Sequence, residues 1–123
     1  MIAILCVAVF IFLAAFFNAC MDAFENENFF ESIFKNLNRK FWYKRESWKY
    51  AKKVFGYRFD SWHIAKTCMV LCLAGAIVAA IFVGLCGVIA FVNLFGILQI
   101  FAILGVIWNG TFILFYHVIF KVK

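Results

Sequence analysis

Asp22, Asp60, His63 and His117 are the residues of this chain whose types could do chemistry together. Carboxylates with imidazoles hold Zn²⁺, Mn²⁺ or Fe²⁺, or move protons as acid and base. Asp60 and His63 stand three residues apart, which puts them side by side on one helical turn. Asp22, Asp60 and His63 form the candidate acid/base set. The same three with His117 form the candidate ligand set, and a divalent metal is the cofactor it would take. A structural reading stands beside this one. Asp60 or Ser61 is a good N-cap for a following helix, and His63 can donate to a backbone carbonyl. His117 can sit among lipid headgroups, Asn18 can bridge helices, and Asp22 can answer Lys66 or Arg58. On that reading Asn18, Trp48, Trp62 and Lys66 belong with the acids and imidazoles to a structural polar knot. Asp-x-x-His alone is an unspecific motif.

The elements that must position these residues are set by hydropathy. From Thr67 to Phe120 there is no Asp, Glu, Lys or Arg, and the same holds from Met1 to Met21. A hydrocarbon core of ~30 Å takes about 20 apolar residues per helix, so the long run is two spans and the short run a third. Composition agrees: 67% hydrophobic residues and 18 Phe leave too little polar surface to cover a soluble domain of 123 residues. Proline is absent, so helical backbone can satisfy itself throughout the bilayer. The expectation is an all-α membrane protein in one domain: a span over Ile2 to Ala19, an interfacial segment over Cys20 to Lys66, and spans over Cys68 to Ala90 and Ile97 to Val118. The first run lacks a basic leader and a small-x-small cleavage site, so it reads as a retained span.

Every Lys and Arg except Lys121 and Lys123 falls between Lys35 and Lys66. By the positive-inside rule the middle segment and the C-terminus share the cytoplasmic side of a bacterial inner membrane, with the N-terminus and the Val92-Asn93 hairpin outside. Within the middle segment Asp22, Glu25, Glu27 and Glu31 precede the bases, as the dipole of a helix over Asp22 to Leu37 would favour. Phe30, Ile33, Phe34 and Leu37 would line its apolar face, making it an amphipathic interfacial helix. Beyond Asn38, bases alternate with aromatics from Arg39 to Tyr50. This is the composition that a layer of anionic headgroups selects. Stacking platforms for nucleic acid have similar chemistry, but no nucleic-acid fold fits about 45 membrane-tethered residues, and nucleic acid is excluded as a partner.

Cys72, Ala76, Ala80 and Gly84 recur every four residues in the second span, a ridge that lets another helix approach closely. Ala102, Gly105 and Asn109 offer a comparable stripe in the third span, so a tight pairing of these two spans, or a homo-oligomer, follows. Cys6, Cys68, Cys72 and Cys86 lie in apolar runs and read as small buried hydrophobes rather than disulfide or metal partners. No phosphate-binding glycine loop, G-x-S-x-G or H-E-x-x-H occurs.

Phe17-Asn18-Ala19-Cys20-Met21-Asp22, Phe41-Trp42, Ser47-Trp48-Lys49 with Tyr50, and Asp60-Ser61-Trp62-His63-Ile64-Ala65-Lys66 resemble an uncharacterised family of small bacterial integral membrane proteins. Its pattern runs F-N-A-x-M-D, F-W, S-W-K-x-K-Y and D-A-W-H-x-x-K. The likeness covers about Phe17 to Lys66, with Ser61 in place of the usual Ala and a shorter stretch between Tyr50 and Asp60. It implies a shared architecture and draws attention to Asn18, Asp22, Trp48, Asp60, Trp62, His63 and Lys66, but implies no reaction. The functional expectation is a small membrane scaffold or interaction protein whose partners are the bilayer, its anionic headgroups and further copies of itself. The alternatives are a membrane-interface enzyme acting on a lipid or polyprenyl headgroup, and a holin-like pore.

Overall fold

The computed structural model describes residues 2–85 and 94–122. Helix α1 (Ile2–Ala23) is followed by a short 3₁₀ turn (Asn26–Phe29), two short helices α2 (Arg39–Trp42) and α3 (Lys44–Tyr50), and a two-residue-strand hairpin, β1 (Lys53–Val54) with β2 (Tyr57–Arg58). Helix α4 (Ser61–Leu85) and helix α5 (Leu94–Ile113) complete the fold. The last helix runs on as a wider π-helical stretch to Phe120. At 1.5 Å per residue α1 is ~33 Å long, enough to cross the hydrocarbon core. Ile4–Ala23, Ser61–Phe82 and Leu98–Phe120 are all long and apolar enough to span a membrane.

Helix α1 lies between the other two, with α4 and α5 both packing on it. The cause is a stripe of small residues: Ala15, Ala19 and Ala23, each buried, recur every four positions and let α4 come close. Ala65 and Ala76 are the buried counterparts on α4. Gly75 meets the Phe10 ring closely, so that a Cβ on Gly75 would stand 2.8 Å from Phe10 Cε1. The α5 side is filled by rings instead. Phe16 packs edge-on against Phe115 at 4.8 Å and against Phe120 at 6.1 Å.

Two expectations are corrected here. The second and third spans do not form the main helix pair; α1 separates them, and Gly105 faces open space with nothing within 4 Å of a built Cβ. On α4, Ala76 is buried and Cys72 half-buried, whereas Ala80 is exposed; the surroundings of Gly84, and all of Cys86 and the Asn93 hairpin, lie outside the described residues.

The second correction concerns Asp22 to Leu37, which is not an amphipathic helix. Helix α1 ends at Ala23, and Asn28 Nδ2 donates to the Asp22 carbonyl at 3.2 Å, satisfying one of the carbonyls that a helix end leaves free. The segment then turns so that Phe29 is fully buried, while Phe30, Ile33 and Leu37 stay exposed. Tertiary pairing overrides the helical periodicity. Ile33 N–H donates to the Phe120 carbonyl and Val122 N–H to the Glu31 carbonyl, each at 2.8 Å, around an antiparallel bridge between Ser32 and Lys121. The buried Ser32 hydroxyl donates to the Phe29 carbonyl at 2.8 Å and accepts from Phe34 N–H at 3.2 Å, taking over hydrogen bonds that a helix would have made. These bonds place the C-terminus and the segment between α1 and α4 at the same end of the bundle.

Candidate functional site

The residues between α1 and α4 form a cap over that end. Its centre is an aromatic cluster built on buried Phe24, whose ring meets Phe34 at 5.1 Å and Trp42 at 5.3 Å. Phe34 in turn meets Phe120 at 5.1 Å, which joins the cap to the end of the last helix. Rings of this kind prefer such edge-to-face and offset contacts. The start of α4 is anchored by Ser61, whose hydroxyl lies 2.9 Å from the Phe41 carbonyl and 3.1 Å from that of Trp42.

Asp60 caps α4. Its Oδ1 accepts from the His63 backbone N–H at 2.9 Å, and the Asp60 carbonyl accepts the first helical bond from Ile64 N–H at 3.0 Å. That is the geometry an N-cap carboxylate adopts. Asp60 does a second thing: both carboxylate oxygens lie 3.0 Å from His63 Nδ1. An ionised carboxylate only accepts, so Nδ1 donates to it. With the Asp60 side chain 1% exposed, the imidazole is its main way out of burial as an unpaired charge. Three rings enclose that imidazole. Trp48 stacks on it at 5.9 Å, and Trp62 and Tyr57 approach edge-on at 5.1 and 6.1 Å. His63 Nε2 makes no hydrogen bond among the described residues. In a reacting site, a carboxylate-oriented imidazole with an open Nε2 is a proton acceptor.

The other candidate residues have neighbours of their own. Asp22 lies within electrostatic reach of Glu25, Lys44 and, on the last helix, Tyr116. Its carboxylate makes no hydrogen bond with Asp60 or His63. His117 is exposed, packed edge-on against Tyr116 at 4.8 Å and Phe112 at 6.5 Å. Among the described residues no three His, Cys, Asp or Glu side chains converge as a metal would require. Asn18 is half-buried and makes no side-chain hydrogen bond among them. A shallow polar cleft of about 490 Å³ opens on the cap, but it is lined by Glu27, Asn28, Tyr43 and Arg45 rather than by Asp60 and His63.

Cations seated on rings recur across the cap. The Arg58 guanidinium sits 3.9 Å over Trp48 and also donates to the Trp48 carbonyl. Lys44 Nζ is 3.9 Å and Lys66 Nζ 5.1 Å from the Trp62 ring, and Lys44 also pairs with Glu25. Arg39 lies 5.1 Å over Phe30 and Lys40 5.1 Å over Tyr50. Energetically significant pairs of this kind occur about once per 70–80 residues in proteins at large, so the cap is dense in them. The buried Trp62 Nε1 finds no acceptor among the described residues, and we have no physical account of it. Of these pairs only Lys40 with Tyr50 lies wholly inside the alternating stretch from Arg39 to Tyr50; the partners of Arg39, Lys44, Arg58 and Lys66 had no sequence signal.

Comparison with family models, with curated proteins and with solved structures finds no match for this chain.

Proposed function

We propose that the protein is a small integral membrane scaffold whose aromatic–basic cap holds anionic lipid headgroups at the cytoplasmic face of a bacterial inner membrane. The observation that carries this reading is the set of cations seated on rings, Arg39 on Phe30, Lys40 on Tyr50, Arg58 on Trp48, and Lys44 and Lys66 on Trp62, all in the cap at the end of three membrane-spanning helices. Rings fix the stems of these side chains, so less freedom is lost when a phosphate arrives. Tryptophan and tyrosine with lysine and arginine are the residues that the headgroup layer favours, and each base near an anionic surface adds about 1 kcal/mol of attraction. The bases of the cap and of the C-terminus share one end of the bundle, which supports a cytoplasmic assignment for that end. The exposed outer faces of α4 and α5 are free for a second copy.

Native mass spectrometry of the protein released from nanodiscs of mixed phosphatidylcholine and phosphatidylglycerol tests the reading. Phosphatidylglycerol should be retained in preference, and Arg39→Gln/Lys40→Gln/Lys66→Gln, which changes only exposed bases, should abolish that preference. Equal retention of both lipids by the unaltered protein would overturn it.

A second reading is favoured by one observation, the Asp60–His63 pair with its open Nε2: a membrane-interface enzyme that uses His63 as the base towards a lipid or polyprenyl headgroup. Turnover of such a lipid lost in His63→Gln, with the fold intact, would be its signature.

A further inference from the structure

The hairpin before α4 carries its most apolar residue in the least favourable place. Phe55 and Gly56 form its two-residue turn with φ of +50° and +81°. Positive φ at both positions selects Asn-Gly or Gly-Gly, and a bulky aromatic at the first position is a steric outlier. The Phe55 ring is also wholly uncovered by protein, at 105% relative exposure. The backbone cost is steric and is the same in any solvent, but in water the ring would also be left without cover.

The direction of the hairpin resolves this. Tyr57 OH hydrogen-bonds Thr67 Oγ1 at 2.7 Å, and the Tyr57 ring meets His63 edge-on, so the hairpin lies along the first turns of α4. The lengths agree: three extended residues from Asp60 back to Tyr57 cover ~10 Å, and the helix rises ~10 Å from Asp60 to Thr67. The Tyr57 hydroxyl therefore reaches the level of Thr67, where the charge-free stretch of the chain begins. Register then orders the hairpin along α4: the Lys53–Arg58 pair lies nearest Asp60, the Val54–Tyr57 pair next, and Phe55-Gly56 farthest along.

We propose that the hairpin is a membrane wedge, with Phe55 inserted among the acyl chains of the leaflet that α4 enters, Tyr57 at the boundary, and Lys53 and Arg58 in the headgroups. The occupant around the Phe55 ring is lipid, not a protein partner. The seat is apolar, so it stands whether or not the cap selects anionic headgroups, and zwitterionic vesicles serve for the test.

The full chain with p-benzoylphenylalanine in place of Phe55, reconstituted in phosphatidylcholine vesicles and irradiated, should yield adducts on acyl chains, located by mass spectrometry. The same probe at Lys52 should not. Adducts to protein, to headgroups or to neither at position 55 would overturn the wedge. Phe55→Trp gives a second measurement: the emission it adds over the unaltered chain should be lost with phosphatidylcholine brominated in mid-chain. Persistence of that emission would overturn the proposal. A failure of phosphatidylglycerol selectivity would leave both results unchanged.

Discussion

The Asp60 carboxylate serves the backbone and the side chain of His63 together, accepting from its N–H at 2.9 Å and holding its Nδ1 at 3.0 Å. The pair is thus a helix cap and a side-chain hydrogen bond in one. Replacing Asp60 by Asn should keep much of the cap, because Asn accepts from the same N–H, and should lose the carboxylate's hold on the ring. Asp60→Ala should cost more: about 0.5–2 kcal/mol for the cap and a further loss from the imidazole left without its partner. Asp60→Ala and His63→Ala should be non-additive, with a coupling of roughly 0.5–3 kcal/mol in thermal unfolding in detergent. Additive effects would show that the two residues act separately.

Beside the alanine stripe, one glycine brings α4 against α1. A methyl on Gly75 would meet the Phe10 ring at 2.8 Å, inside any real contact. The half-buried Phe10 ring must swing aside, so Gly75→Ala should destabilise the bundle by about 1 kcal/mol, the low end of overpacking costs. Gly105→Ala meets nothing within 4 Å and should be neutral, or stabilising by roughly 0.5–1 kcal/mol from helix propensity. Thermal denaturation of both variants in one detergent decides it. The reverse order would mean that α5, not α4, is the close partner of α1.

Much of this fold is legible in the residue order, and the parts that are not have physical reasons. The three spans follow from charge-free runs, whose cost of exposure leaves no other solution. The choice of helix partner does not. Ala15, Ala19 and Ala23 on α1 repeat as regularly as Cys72, Ala76 and Ala80 on α4, and small-residue spacing marks a face without naming what meets it. The turn structure after Ala23 is hidden because Phe30, Ile33 and Phe34 carry a helical period that the backbone bonds to Phe120 and Val122 override. At the site, Asp60 and His63 are neighbours in sequence and were readable. Asp22 and His117 instead neighbour Lys44 and Tyr116.

The C-terminal latch should be visible by hydrogen exchange. Ile33 and Val122 amides donate at 2.8 Å to Phe120 and Glu31, and Lys121 Nζ lies 3.5 Å from Glu31 Oε2. Val122→Pro removes one of the two backbone donors. The Ile33 amide should then exchange faster while amides in the middle of α1 keep their protection, since segments open locally before the bundle does. Unchanged exchange at Ile33 would show that the bridge contributes nothing to holding the tail.

Topology gives the last test. The same latch requires the cap and the tail to lie on one side of the membrane, because backbone hydrogen bonds join Glu31 and Ile33 to residues 120–122. With native cysteines replaced, a single Cys at Lys52 and another at Lys121 should both react with an impermeant maleimide in inside-out vesicles and neither in right-side-out ones. A Cys at Asn93, outside the described residues, should show the opposite pattern if α4 and α5 each cross once. Labelling at Lys52 and Lys121 from opposite sides would be incompatible with the latch. Labelling of both from outside would keep the latch and overturn the cytoplasmic assignment that the distribution of Lys and Arg supports.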